Sequence, residues 1–229
     1  MRNKLYDQIN NNSEVFAISR VTKYVMISKV PAQQVFSDAL VVLDLPNWSS
    51  FAMLQCSFHE LWVRRESSSM KKDIRYTPSD SFDTYPFLHT NSDKLEKLGE
   101  EYYKLRQKIM ITRNEGLTKT YNHFHNSDEK SRDIQELRKL HESMDKGVTE
   151  VYGWKDINLN HDFYNTKHGI RYKISEEAQH EVLKRLLELN HELYEKELKR
   201  KSVVKKSRKT SKKKQDDQSK EEEQLNLFN

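Results

Sequence analysis

The sequence predicts an α+β fold, and three observations carry that expectation. All four prolines, Pro31, Pro46, Pro78 and Pro86, fall in the first 86 residues, among short runs of Val, Phe, Tyr, Ser and Thr. From residue 90 to 198 proline is absent and apolar residues recur at spacings of three and four, the period of an amphipathic helix. Beyond residue 199 the chain turns into Lys, Ser, Asp and Glu, too poor in apolar groups to offset the entropy of ordering. The expected organisation is a small mixed α/β unit over residues 1–89, an α-helical domain over 90–198 and a disordered basic tail over 199–229.

The elements follow in order. Val15–Ile18 and Tyr24–Ile27 flank a polar turn at Arg20–Lys23 and read as a hairpin. Val35–Leu45 reads as a longer strand closed by Pro46-Asn47. Ser49 or Ser50 is placed to cap a helix whose apolar face is Phe51, Leu54, Phe58, Leu61 and Trp62. After the break at Ser67–Ser69, Asp73–Thr77 forms a further strand, and Trp62, Tyr76 and Phe82 read as core. In the helical half, Leu95, Leu98, Tyr102, Leu105 and Ile109 mark one helix, interrupted by Gly116. A second runs from a cap at Ser127 through Ile134, Leu137, His141, Met144, Val148 and Val151 to Gly153. A third starts at Ser175, with Glu176 and Glu177 in its first turn, where a negative charge suits the helix dipole. Its buried stripe is expected to be Ala178, Val182, Leu186, Leu189 and Leu193.

Composition narrows the function. The longest apolar run, Ala39–Leu43, is far short of the ~20 residues that a membrane span needs, and no leader with a cleavage site opens the chain. A cytoplasmic protein without a membrane partner is expected. The single Cys56 excludes an internal disulfide or a cysteine zinc site. The net charge of +5 divides unevenly: residues 199–214 hold ten Lys or Arg and no acid, the whole tail from 199 to 229 carries eleven cations against five acids, or +6, and residues 1–198 are left at −1. DNA binding by the body would therefore need a local patch. Glycine occurs only at 99, 116, 147, 153 and 169, so no glycine-rich phosphate turn is possible, and neither Pro-Pro nor Gly-Lys-Ser/Thr occurs. His123-Phe124-His125 with Asp128, and His161-Asp162, lack a recognised ligand spacing and read as packing or surface residues. Glu197-Leu198-Lys199 matches the end of a nuclease pattern but lies late in a helix, without a strand bearing a paired Asp, and no metal is expected.

Several segments combine into something more specific. Phe16–Lys23 is followed by Val35–Val42, Leu54–Trp62, Asp73–Asp80 and Phe82–Phe87. This order resembles the second half of the target-recognition domain in MmeI-like (type IIL) restriction-modification DNA methyltransferases. Thr118–Asn122, Leu137–His141, Tyr152-Gly153-Trp154, Arg171-Tyr172 and Glu181–Tyr194 resemble the same family's C-terminal domain, so that the resemblance runs over residues 4–196. It implies the sequence-recognition part of an adenine-N6-specific methyltransferase. Such enzymes grip a flipped adenine with an Asn/Asp-Pro-Pro-aromatic loop, and receive S-adenosylmethionine on a glycine-rich turn. Both are absent here, so the chain is not expected to methylate alone. No cofactor is expected on it; S-adenosylmethionine would bind a missing or partner catalytic domain. The chain is then either one half of a split enzyme working with a catalytic chain in trans, or a gene remnant.

The expected DNA-reading segment is Arg64–Tyr76, where Arg64, Arg65, Lys71, Lys72 and Arg75 face only Glu66 and Asp73. Such a local +3 beside a serine loop suits phosphate contact, although an ordinary solvated loop has the same composition. The resemblance places base-reading side chains here: Lys71 and Asp73 on one base pair, with Arg75 reading or anchoring nearby. Arg64, Arg65, Lys72, Ser68 and Ser69 are the candidates for the DNA backbone. The Lys199–Lys214 tail either holds DNA nonspecifically or only aids solubility. Its end, Gln224-Leu225-Asn226-Leu227-Phe228, resembles the peptide with which bacterial proteins dock on the replication sliding clamp, making Gln224, Leu225, Leu227 and Phe228 candidate clamp contacts. A stand-alone DNA-binding or clamp-binding protein is the competing functional class.

Overall fold

The structure is a computed structural model that describes the backbone of residues 2–70, 73–167 and 169–225, and the side chains of residues 5–68, 73–167 and 169–200. Helix α1 (Arg2–Ile9) precedes the central strand β1 (Glu14–Ser19). All four residues from Val15 to Ile18 are buried, because the sheet is covered on both faces. Val15 packs with Ile9, Ala32 and Phe36 on one side. Phe16 stacks on Phe51 and meets Trp48 edge-on, both at 5.5 Å between ring centres, on the other.

The partner of β1 differs from the expected one. β1 pairs antiparallel with β3 (Ser28–Pro31) and β4 (Leu40–Leu43), with Val15 opposite Val30 and Ile18 opposite Val41. Tyr24–Ile27 is buried but is not a strand. Its backbone is claimed by side chains instead: Gln55 Nε2 donates to the Val25 carbonyl (2.8 Å), Gln55 Oε1 accepts from Ile27 N (3.0 Å), and the Arg106 guanidinium donates to the Ile27 carbonyl. Within the expected polar turn, Val21–Thr22 forms β2. The long strand expected over Val35–Leu45 shrinks to β4. Its first part is a turn, with Ser37 Oγ accepting from Ala39 N at 3.2 Å and Val35 87% exposed.

Helix α2 (Trp48–Gln55) is capped by Asn47, whose Oδ1 accepts from Ser50 N (2.8 Å), so Ser49 and Ser50 lie inside the first turn rather than at the cap. The expected single helix breaks at Cys56, where ψ is 166°, and restarts as α3 (Ser57–Glu66). The break is stable because the amide freed at Ser57 donates to the buried Asp145 carboxylate (2.8 Å); an unpaired buried N–H would be costly. β5 (Ser69–Met70) and β2 flank β6 (Asp73–Arg75) in a second three-stranded antiparallel sheet.

Helix α4 (Asp93–Arg113) starts at the Ser92 cap and ends at Asn114 in the left-handed conformation (φ 51°). Glu96 accepts from the amides of Trp48 (3.0 Å) and Ser49 (2.7 Å), so α4 closes the open N-terminus of α2. Gly116 opens a short helix, α5 (Leu117–Phe124), that periodicity did not separate. Helix α6 (Arg132–Tyr152) begins after Ser131 rather than Ser127, and stops at Gly153 (φ 75°) as expected. An unexpected hairpin follows, β7 (Asp162–Thr166) with β8 (Gly169–Lys173). Ser175 Oγ accepts from Ala178 N (3.2 Å) at the start of α7 (Glu176–Leu225), the expected cap.

Residues 1–186 form one compact unit, which spans the junction expected at 89/90, and 187–229 form a second. Ala178, Val182 and Leu186 are buried in the first unit. The expected stripe stops there, for Leu189 is half-buried and Leu193 exposed. The tail expected to be disordered over 199–229 begins near the end of the described side chains, which stop at residue 200, and the backbone of α7 is described to Leu225. Among the described residues no helix is long and apolar enough to cross a membrane, and no group of three His, Cys, Asp or Glu could hold a metal.

Candidate nucleic-acid interface

The described part of the expected reading segment runs from the last turn of α3 through β5 and β6. Strand β6 shows why its side chains divide as they do. Ile74 is 6% exposed and turns into the core, while Asp73 is half-buried and Arg75 exposed. Alternation along a strand therefore puts Asp73 and Arg75 on the outer face, two residues apart. Val21 lies opposite Arg75, and Met70 opposite Asp73. The strand is held at both ends: Arg75 N donates to the Ser68 carbonyl (3.0 Å), and Tyr76 N donates to the Arg20 carbonyl (2.7 Å).

A buried layer fixes this unit from behind. Tyr76 is fully buried, and its hydroxyl donates to His59 Nε2 (3.4 Å), while His59 Nδ1 donates to the Leu54 carbonyl (2.6 Å). Burial pulls the His59 pKa down to about 4, which keeps the ring neutral in this arrangement. Trp62 is core as expected, with its indole N–H on Thr84 Oγ1 (3.0 Å). Ser67 Oγ meets Ser81 Oγ at 2.7 Å, tying the loop to the short π-helical turn Pro78–Phe82. Burial pushes the Cys56 thiol up to about 12, so it is not a nucleophile.

The remaining expected site residues fall as follows. Arg64 and Arg65 are exposed on the last turn of α3, each beside a carboxylate: Arg64 pairs with Glu60 (2.7 Å) and Arg65 with Glu66 (2.9 Å). The more exposed Arg65–Glu66 pair is of the weak kind, so Arg65 stays available to a phosphate. Ser68 is exposed, and Ser69 pairs through its backbone with Ile74. Lys71 and Lys72 lie outside the described residues, as do Leu227 and Phe228; Gln224 and Leu225 belong to α7, and their side chains are not described.

Two polar centres in the first unit were not anticipated. Arg106 is 1% exposed, donates to Gln55 Oε1 (3.1 Å), the Tyr121 hydroxyl (3.2 Å) and the Ile27 carbonyl, and lies 5.2 Å from the Tyr103 ring centre. Periodicity marks Arg106 only as a polar residue beside Leu105. The second centre is Asp145, fully buried, which accepts from Ser57 N, Ser57 Oγ (2.6 Å) and His161 Nε2 (2.7 Å). Burial alone would raise its pKa, but His141, His161 and the hydrogen bonds outweigh it, and the carboxyl is held below its ordinary range. His161 thus helps to hold the Asp145 carboxylate.

Comparison with known proteins places this unit. Residues 3–89 match the family described as MmeI, target recognition domain. No curated protein matches the chain. Among solved structures, that of the type IIL restriction-modification enzyme MmeI in complex with DNA matches with a TM-score of 0.58 and 18% identity, over 80% of this chain and 22% of that one. At that identity the likeness is one of fold, and the chain spans little more than a fifth of the length of MmeI. Residues 3–89 are therefore similar in sequence to the MmeI target recognition domain, and most of the chain is similar in fold to a part of MmeI.

Proposed function

We propose that these residues are the DNA sequence-recognition part of an adenine-N6 DNA methyltransferase in a type IIL restriction-modification system. The observation that carries the reading is the match of residues 3–89 to a target recognition domain, with Asp73 and Arg75 on the outer face of β6 inside that stretch. Lys71 precedes Asp73 by two residues. Lysine donates to O6 and N7 of guanine, and aspartate accepts from N4 of cytosine, so the pair selects one G·C base pair. Arg75 reads or anchors beside them, while Arg64, Arg65, Lys72, Ser68 and Ser69 hold phosphates. Methyl transfer, and with it S-adenosylmethionine, belongs to a catalytic domain outside these residues, supplied in trans.

The test is selection of bound duplexes from a randomised pool by the wild-type chain and by the double variant Lys71→Glu, Asp73→Arg. The expected result is one position at which the preferred base inverts, with roughly 1–3 kcal/mol of discrimination. An unchanged preference in the double variant refutes the assignment of the pair. The terminal Gln224-Leu225-Asn226-Leu227-Phe228 favours a second, additional contact, with the sliding clamp. Capture by purified clamp that is lost on Leu227→Ala and Phe228→Ala is the expected result; equal capture of both variants refutes it.

A further inference from the structure

A cavity of about 250 Å³ lies in the first unit, between α3, α5, α6 and the β7–β8 hairpin, and of the DNA-contact residues proposed above only Arg64 lines it. Its chemistry follows from the hydrogen bonds around it. The Ser57 hydroxyl donates to Asp145 Oδ2 (2.6 Å), so its oxygen is left to accept from His141 Nε2, 3.1 Å away. Burial lowers the His141 pKa, which favours the neutral ring, and the Ser57 oxygen as acceptor places the ring proton on Nε2 in that form. His141 Nδ1 is then a lone-pair acceptor. It is buried without a partner among the described residues, in a side chain that lines the cavity. Arg171 supplies the complement. Among the described residues its Nη1 is a buried donor without a partner, on a guanidinium held 4.5 Å from the Tyr24 ring centre. Buried polar groups left unpaired are rare and costly.

The walls define the rest of the ligand. Tyr121, Phe124 and Tyr172 offer aromatic surface. Arg64, Lys167, Arg171 and Lys173 face a single lining carboxylate, Glu60, which already pairs with Arg64. The cavity is therefore a ring-sized site with one acceptor, one donor and an excess of positive charge. Its volume lies just below the ~300 Å³ at which pockets for drug-sized ligands begin. We infer that it binds a mononucleotide: a planar base whose N–H meets His141 Nδ1, with its phosphate drawn to Arg171 and the hairpin lysines. The base could come from a free nucleotide or from DNA, as a residue swung out of the duplex. The inference does not depend on Lys71 and Asp73 reading sequence.

Calorimetric titration of the full chain with adenosine and cytidine 5′-monophosphates, and with inorganic phosphate, tests it. The expected result is saturable binding of at least one mononucleotide, tighter than phosphate. Arg171→Gln, which removes the charge and the long guanidinium fork, and Leu61→Trp, which fills the cavity from α3, should each weaken binding by about tenfold or more. Should Leu61→Trp fail to fold, Arg171→Gln carries the test, since Arg171 is only half-buried. Absence of saturable binding at roughly millimolar nucleotide overturns the inference. So does binding that both folded variants retain, or phosphate binding as tight as the nucleotides. A duplex carrying 2-aminopurine separates the two sources. Brightening on addition of the chain, lost in Arg171→Gln, identifies DNA as the supplier. Nucleotide binding with a duplex that stays quenched identifies the free nucleotide. Retained sequence selection by Arg171→Gln separates this site from the reading strand.

Discussion

Gly99 is where α4 touches the backbone of α2, and replacing it with alanine sets two known effects against each other. An ideal Cβ at Gly99 would lie 2.4 Å from the Trp48 carbonyl oxygen, 3.2 Å from its carbon and 3.3 Å from Ala52 Cβ. Contacts below 3.0 Å essentially never occur, so from 2.4 to 3.0 Å the helices must part by about 0.6 Å. Trp48 has little freedom to yield alone. Its amide is bound by Glu96 on α4, and its ring packs on Phe16, Phe51 and Tyr103 at 5.5, 5.7 and 5.1 Å. Overpacking of this kind costs about 1–3 kcal/mol, and because backbone rather than a side-chain tip is in the way, the upper half of that range applies. Alanine regains about 1 kcal/mol over glycine in a helix interior. The net expected loss is about 1–2 kcal/mol, a fall in the urea midpoint of roughly 0.5–1 M at an m-value near 2 kcal/mol/M. Gly147→Ala on α6 is the control, because its new methyl would meet the Leu95 side-chain tip at 3.0 Å rather than backbone; its midpoint should fall less. A Gly99→Ala midpoint that equals or exceeds the wild-type value would refute the reasoning, since helix propensity alone would then have decided the outcome.

Arg106→Met should be strongly destabilising, by about 1–3 kcal/mol in chemical unfolding, because it leaves the buried Ile27 carbonyl without its side-chain donor and takes one donor each from Gln55 Oε1 and the Tyr121 hydroxyl; a loss below about 1 kcal/mol would contradict its pinning role. Asp145→Asn should lower the thermal midpoint by roughly 5 °C, as His161 and Ser57 lose a charged acceptor; an unchanged midpoint counts against it. The Arg113 cluster should appear on the acid side. Glu129 is lowered to about 2, first by Ser131 and then by Arg113, and Asp133 to about 2 by the Arg113 hydrogen bonds. Both folded values lie below the ordinary 4.5 and 3.8, so their stabilisation is present above about pH 4.5 and is lost as pH falls toward 2. Arg113→Gln should therefore shrink the fall in thermal midpoint between pH 5 and pH 3, and parallel curves for the two proteins would refute the assignment.

Part of this architecture is legible in the chain because it depends on residues only a few positions apart. The stop of α6 at Gly153, the Ser175 cap of α7, the stripe through Leu95, Tyr102 and Ile109, and the burial of Trp62 and Tyr76 are all of this kind. So is the strand bearing Asp73 and Arg75, whose outer and inner faces follow from alternation alone. The resemblance to a target recognition domain was likewise carried by the order of short segments.

Tertiary structure decided what depends on distant partners. Tyr24–Ile27 has as much strand character as any segment, yet Gln55 and Arg106, 28 or more residues away, take its backbone hydrogen bonds, and β1 pairs with Ser28–Pro31 and Leu40–Leu43 instead. The break at Cys56 follows from a carboxylate on α6, 88 residues from the amide that it receives. The cavity, with His141 Nδ1 and Arg171 Nη1 left without partners among the described residues, arises only when α3, α6 and the β7–β8 hairpin are brought together. Periodicity and capping record a residue's immediate neighbours, whereas a buried polar group is stable only beside the partner that the fold supplies.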